Sequence, residues 1–369
     1  MSAQAAQNPA VLEPTIKITS PLPYEVFQRS SRMQGMVLVR GRAEGFTKIE
    51  VRILGTSLAG PLPSRWTGVP FSADSHEFES RLDTAAGGFY TVEIRATSSR
   101  GQSVIQTINN VGVGEVFIVS GQSNSTNYGE VRQLTQTGMV TTFDGAVWRL
   151  ANDPQPGVLD NSSKGSFIPA FGDALYGKYH VPIGISSVGH GSTSVRQWLP
   201  AGTPVFKQPT MGRFVVAGEN GDLVSDGGLF DGMLKRIRQF GPGGFRALLW
   251  HQGESDCHQP PEHEIPPATY QEMMEQLIQF TRRDAGWEVP WFVAIASYHT
   301  PADTGSPAIR DAQRKLAAEG LAMEGPDTDT LTGGFRQNGG TGTHFSDTGL
   351  KAHGRMWADA VSAYIDGKL

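Results

Sequence analysis

Apolar residues recur at every second position through much of the first third of the chain, as in Thr91-Val92-Glu93-Ile94-Arg95-Ala96. This is the period at which side chains alternate between the two faces of a half-buried strand. It predicts strands over 15–19, 36–43, 48–54, 77–82, 89–96 and 103–111, divided by Gly, Pro, Ser and Asn clusters. No long helical period intrudes. Short strands with turn residues between them predict an immunoglobulin-like β-sandwich over 15–111, after a loose lead-in at 1–14. Its expected role is that of a spacer or packing module.

From Gly112 and Gly114 the pattern changes. An apolar run, Glu115-Val116-Phe117-Ile118-Val119-Ser120, leads into a polar turn. Beyond it, helical spacing of apolar positions over 166–179, 229–240, 267–287, 309–319 and 348–365 is interspersed with strand-like runs over 181–188, 245–250 and 289–297. Strand–helix alternation builds a mostly parallel sheet with helices on both faces. Residues 112–369 are therefore expected to form an α/β domain. No internal repeat or low-complexity tract is visible.

A length of 369 residues agrees with about two domains. Lys and Arg number 31 against 36 Asp and Glu, a net charge of −5 that excludes a generic nucleic-acid binder. The single cysteine, Cys257, excludes an intrachain disulfide and a cysteine-based zinc cluster. No apolar run approaches the ~20 residues of a membrane helix, so no membrane association is expected. The first ten residues lack the basic start and apolar stretch of a signal peptide. A mature chain whose leader had been removed would look the same, so the compartment stays open. The lack of disulfides points towards the cytoplasm. The sequence leaves the oligomeric state open.

Four polar segments stand at or just beyond the ends of predicted strands, where open α/β sheets bind their ligands. Gly121-Gln122-Ser123-Asn124 could expose a serine hydroxyl on a tight turn, or simply cap a helix. Gly189-His190-Gly191-Ser192-Thr193-Ser194 offers close backbone approach and N–H donors, or an ordinary glycine turn. Trp250-His251-Gln252-Gly253-Glu254-Ser255-Asp256 ends a buried strand in a dense polar cluster, and its Gln252 amide could donate to an oxyanion. Thr343-His344-Phe345-Ser346-Asp347 supplies a histidine suited to general-base work near neutral pH.

Taken together, these segments resemble the SGNH hydrolase superfamily, and within it the carbohydrate-esterase branch of sialate O-acetylesterases and acetylxylan esterases. The matching motifs are GEVFIVSGQSN, GHGSTSVRQWLP, WHQGESD and GTHFSDTGL, in the family's order. IRDAQRKLA followed by GPDTDTL also fits that group. The resemblance covers about two thirds of the chain, from Gly112 onward. It implies a three-layer, flavodoxin-like α/β domain behind the β-sandwich, and a serine esterase that removes O-acetyl groups from a carbohydrate. Ser123 would be the nucleophile and His344 its base. The oxyanion hole would combine the Ser123 N–H, an N–H from Gly191 or Ser192, and the Gln252 side chain. Arg196 and Trp198 follow the second segment, where Trp198 is either a sugar platform or core packing. No metal or organic cofactor is implied.

One position departs from the family pattern. Relatives place an Asp three residues before the histidine, and here that position is Thr341, among Gly339, Gly340 and Gly342. Threonine carries no charge to stabilise an imidazolium. Glu254 is the first substitute, with Asp327, Asp329 and Asp347 behind it; a Ser–His dyad is the other possibility. His251, Glu254, His258 and His263 match no zinc spacing, and Cys257 reads as incidental. Two other functions stay open: an esterase of non-carbohydrate small acyl esters, and a non-catalytic glycan-binding protein.

Overall fold

In the computed structural model, which describes residues 14–369 apart from Ala73 and His258, alternation in sequence becomes alternation in burial. Residues 1–13 of the expected lead-in lie outside the described residues. Along Gly87–Thr97, Tyr90, Val92, Ile94 and Ala96 are buried, and the residues between them are half-buried. Thr15–Ser20, Gln34–Glu44 and Glu77–Ala85 form a three-stranded antiparallel sheet. Lys48–Leu54 pairs antiparallel with Gly87–Thr97 in a second, larger sheet. Val37 and Val39 from the first sheet share an apolar core with Ile49, Val51, Val92 and Ile94 from the second.

The change of pattern at Gly112 is not a break in the chain. One strand, Ser103–Gly121, runs through it for 19 residues. Its first part pairs antiparallel with Gly87–Thr97, and its second, from Glu115, pairs parallel with Ile183–Ser187 and Ala247–His251. The two halves of the chain thus meet inside one hydrogen-bonded ladder instead of across a linker. Gly114 marks a close approach: a Cβ there would lie 1.9 Å from the Pro182 carbonyl oxygen.

The parallel part of this mixed sheet runs Val140–Phe143, Ile183–Ser187, the shared strand, Ala247–His251, Trp291–Ile295 and Met323–Asp327. Trp148–Leu150 adds an antiparallel edge. Alternate residues of the shared strand face different layers. Phe117 and Val119 pack with Ile168–Tyr179 and Asp347–Lys368, while Val116 and Ile118 pack with Gly228–Phe240, Pro267–Ala285 and Pro307–Ala318. Among the described residues, no helix is long and apolar enough to cross a membrane. After the shared strand the chain builds outward on one side, then returns to add Ala247–His251 on the other. That reversal falls between these two neighbours, and the carboxyl ends of the strands at such a point are the usual ligand position in these sheets.

A buried charge cluster fixes the junction. The Glu115 carboxylate is fully buried and accepts from Arg29 Nε at 2.7 Å, Arg246 Nε at 2.7 Å and Gln28 Nε2 at 3.0 Å. Removing one partner of a buried ion pair leaves charge stranded in a poor solvent. Glu115→Ala is expected to cost about 3–5 kcal/mol in urea unfolding by that argument; a variant as stable as the parent would show that the cluster does not hold the junction.

Candidate active site

The first polar segment turns sharply because Gly121 sits at φ 125°, with its missing Cβ only 2.1 Å from the His251 carbonyl oxygen. The Gln122 N–H donates to that carbonyl at 2.9 Å. Ser123, 5% exposed, then opens a short 3₁₀ turn, Ser123–Ser125. The turn's own bonds run from Ser125 and Thr126 back to Gln122 and Ser123, so they leave the Ser123 N–H unused.

Both neighbours of Ser123 are tied to the third segment. Gln122 Oε1 accepts from the Ser255 N–H at 3.0 Å, the Gly253 N–H at 3.4 Å and Gln252 Nε2 at 3.3 Å. Asn124 Nδ2 donates to Glu254 Oε1 at 2.8 Å. Burial pushes the Glu254 carboxyl up, but His251, 3.3 Å away, and the Asn124 amide outweigh it and hold the group down at about 2. His251 Nδ1 in turn meets His353 Nε2 at 3.1 Å, a nitrogen that also accepts from Trp357 Nε1 at 3.0 Å. A buried polar chain thus connects the C-terminal helix to the turn that carries Ser123.

His344 lies on a hairpin closed by the Arg336–Phe345 bridge. Its ring stacks on Tyr128, with centroids 5.1 Å apart and planes at 30°. Burial lowers its pKa to about 4; Glu254 opposes that shift, and Arg336, Lys164 and His299 add to it. The ring is therefore neutral near pH 7, the state a general base needs. Its Nδ1 lies 3.0 Å from the Gln337 side-chain amide. Here the structure differs from expectation. Glu254 acts on His344 through its charge: its Oε1 accepts from Asn124 and lies 3.3 Å from His251 Nε2, and no hydrogen bond joins it to His344 among the described residues. Thr341 is exposed and donates to the Asn338 carbonyl at 3.0 Å. Asp329 binds Ser297 and Arg310, Asp327 binds Arg310 and Arg314, and Asp347 binds Gln133 and Lys351.

Other expected contacts also need correction. The Gly191 N–H donates to Asp160 Oδ2 at 2.7 Å, so it is already committed. Ser192, next along, is exposed at φ 61°. Gln252 is fully buried, and its Nε2 lies 2.6 Å from Asp256 Oδ2 and 3.1 Å from the Thr193 carbonyl. An amide nitrogen has two hydrogens, and these acceptors, with the more distant Gln122 Oε1 sharing them, leave neither free. Arg196 and Trp198 are fully buried and do not form a sugar platform. Arg196 binds Ser194 Oγ at 2.8 Å and the Lys207 and His263 carbonyls; Trp198 donates to Thr193 Oγ1 at 2.9 Å and packs edge-on against Trp250.

Among the described residues, no group of three or more His, Cys, Asp or Glu could hold a metal ion. His263 Nδ1 is bonded to the Gln208 carbonyl, and His258 lies outside the described residues. Cys257 donates to the Gly253 carbonyl at 3.0 Å, and burial pushes its thiol well up. Sequence reasoning missed Tyr128, Asp160, Gln337 and His353, none of which belongs to a recognised motif. The one available signal was the glycine cluster at 339, 340 and 342, which lets the chain fold Gln337 back towards His344.

A family model described as "carbohydrate esterase, sialic acid-specific acetylesterase" matches residues 113–363. The chain belongs to this carbohydrate esterase family. It is accordingly a carboxylic ester hydrolase. Among solved structures, it is similar to a carbohydrate acetylesterase from Xanthomonas citri, at 18% identity and a TM-score of 0.60, covering 95% of this chain and 76% of that one. A protein from Arabidopsis thaliana matches at 18% identity and a TM-score of 0.46, covering 68% of this chain and 98% of that one. Comparison with curated protein sequences found no match.

The buried position of Trp198 gives a direct check. Trp198→Ala should cost about 3–5 kcal/mol in urea unfolding, the usual range for a buried Trp truncation. The folded fraction should keep its KM for an ester substrate. A large rise in KM without loss of stability would restore the sugar-platform reading.

Proposed function

We propose that this esterase removes O-acetyl groups from a carbohydrate through an acyl-Ser123 intermediate. The observation that carries the reading is a serine turn clamped on both sides, with His344, kept neutral by burial, stacked on Tyr128 of the chain that follows that turn. On this reading the catalytic unit is a flavodoxin-like SGNH domain over 112–369, and 15–111 is an immunoglobulin-like β-sandwich. Three observations support it: the reversal of strand order at the shared strand, the helices on both faces, and the shared core of the two antiparallel sheets.

In the first half-reaction, His344 Nε2 takes the Ser123 hydroxyl proton as Oγ attacks the acetyl carbonyl. The oxyanion is received by the Ser123 N–H and the N–H of Ser192, with Gln252 fixing the turn from beneath. Collapse of the intermediate expels the sugar oxygen, which takes its proton from His344. Water then attacks the acetyl-serine, His344 accepts its proton, and acetate leaves as Ser123 is re-formed. The site asks for no metal or organic cofactor in these steps.

The test is acetate release from a panel of acetylated glycans. Ser123→Ala is expected to lower kcat by about 10⁴-fold or more. Undiminished release by that variant would end the serine mechanism, and turnover confined to non-carbohydrate esters would reassign the substrate.

The pH dependence follows from the same base. A histidine pKa lowered to about 4 places the acid limb of kcat/KM near that value, below the ordinary histidine range. Activity should therefore rise with pH through that region and be level by pH 6. An acid limb near the unperturbed value of about 6.5 would contradict the buried, neutral base.

A further inference from the structure

We propose that Gln337 takes the place of the catalytic acid, holding His344 through a neutral amide instead of a carboxylate. This rests on the reading of His344 as the base. A histidine can take the serine proton through Nε2 only if its single hydrogen is on Nδ1, and something must accept that hydrogen. Among the described residues, the side chain bonded to Nδ1 is that of Gln337, at 3.0 Å.

The backbone adds a second point of attachment. The Gln337 N–H donates to the His344 carbonyl at 2.9 Å, and the Gly342 N–H donates to the Gln337 carbonyl at 3.1 Å. Arg336, buried beside it, fastens the hairpin base through the carbonyls of Leu331, Thr328 and Thr343. Gln337 and His344 are thus held as a pair by main chain as well as side chain.

The amide presents Nε2 to the ring. A half-turn of the terminal amide presents Oε1 instead, with no change of shape. In that orientation Oε1 accepts the Nδ1 hydrogen and leaves the Nε2 lone pair for the Ser123 proton. When His344 becomes an imidazolium, the same hydrogen bond persists and no proton passes to the amide. What differs from a carboxylate is charge: an amide fixes the tautomer but adds little stabilisation to the cation. The charged and titratable groups around the ring are Glu254 after the central strand, Arg336 on the hairpin, Lys164, His299 after Trp291–Ile295, and the stacked Tyr128. Asp160 acts on Tyr128 through its charge.

The isosteric exchange Gln337→Glu separates orientation from charge. It keeps the shape and puts a carboxylate against Nδ1, so the acid limb of kcat/KM should move up by about one pH unit or more. Gln337→Ala should lower kcat by about 10²-fold or more with little change in KM, by loss of the oriented tautomer. Gln337→Glu should retain activity where the alanine variant does not. An unmoved acid limb in Gln337→Glu, or parental kcat in Gln337→Ala, overturns the inference. Should Gln337→Ala fail to fold, the shift in Gln337→Glu decides alone. His344→Ala separates the two levels. Full activity in that variant would remove the base itself. Loss of activity there, with parental behaviour in both Gln337 variants, would leave the base in place and refute only the role of Gln337.

Discussion

The geometry of this site depends on one interlock, between the turn that follows the shared strand and the loop that follows its neighbour. Gln122 and Asn124, on either side of Ser123, are each hydrogen-bonded to the 252–255 segment. Neither segment could hold this shape alone, since each buries polar groups that only the other satisfies. Because the two strands are adjacent and parallel, Gly121 and His251 stand in register and deliver both segments to one point. Asp256 extends the interlock to the second loop, accepting from Ser194 Oγ, the Val195 N–H and Gln252. Three loops from distant parts of the sequence are thereby fixed to one another through the two residues that flank Ser123 and through Asp256.

This changes the meaning of several motif residues. Gln252, Glu254, Asp256, Arg196 and Trp198 look like chemistry in the sequence because they are polar or aromatic and clustered. In the fold they are the buried frame. Glu254 is held ionised by His251 and Asn124, and its carboxylate is part of a chain reaching His353 and Trp357 on the C-terminal helix. A buried charge is tolerated only when paired, and the pairing here also fixes the residue beside the nucleophile. The site is thus supported from the far side of the sheet.

Most of the architecture was legible because its periods were clean. The alternation over 89–96 and the helical spacing over 267–287 both correspond to elements in the structure, Gly87–Thr97 and Pro267–Ala285. Met323-Glu324-Gly325-Pro326-Asp327 was missed as a strand because it has no apolar run, and Val140–Phe143 because it is only four residues long. The continuity of Ser103–Gly121 was hidden by two glycines that read as a boundary but serve close packing against Pro182. Ser123 and His344 stood out through residue type and motif. The partner of His344 did not, since a glutamine seven residues upstream has no helical or strand relationship to it. Only the folded hairpin brings them together.

The central claim is that Ser123 carries the acyl group during turnover. Its most direct test is to quench the enzyme during reaction with an activated acetyl ester and locate the added acetyl mass by peptide mapping. The account predicts a single acetyl group on Ser123, absent from Ser123→Ala. An acetyl group on another residue, chased to acetate as fast as the enzyme turns over, would contradict it.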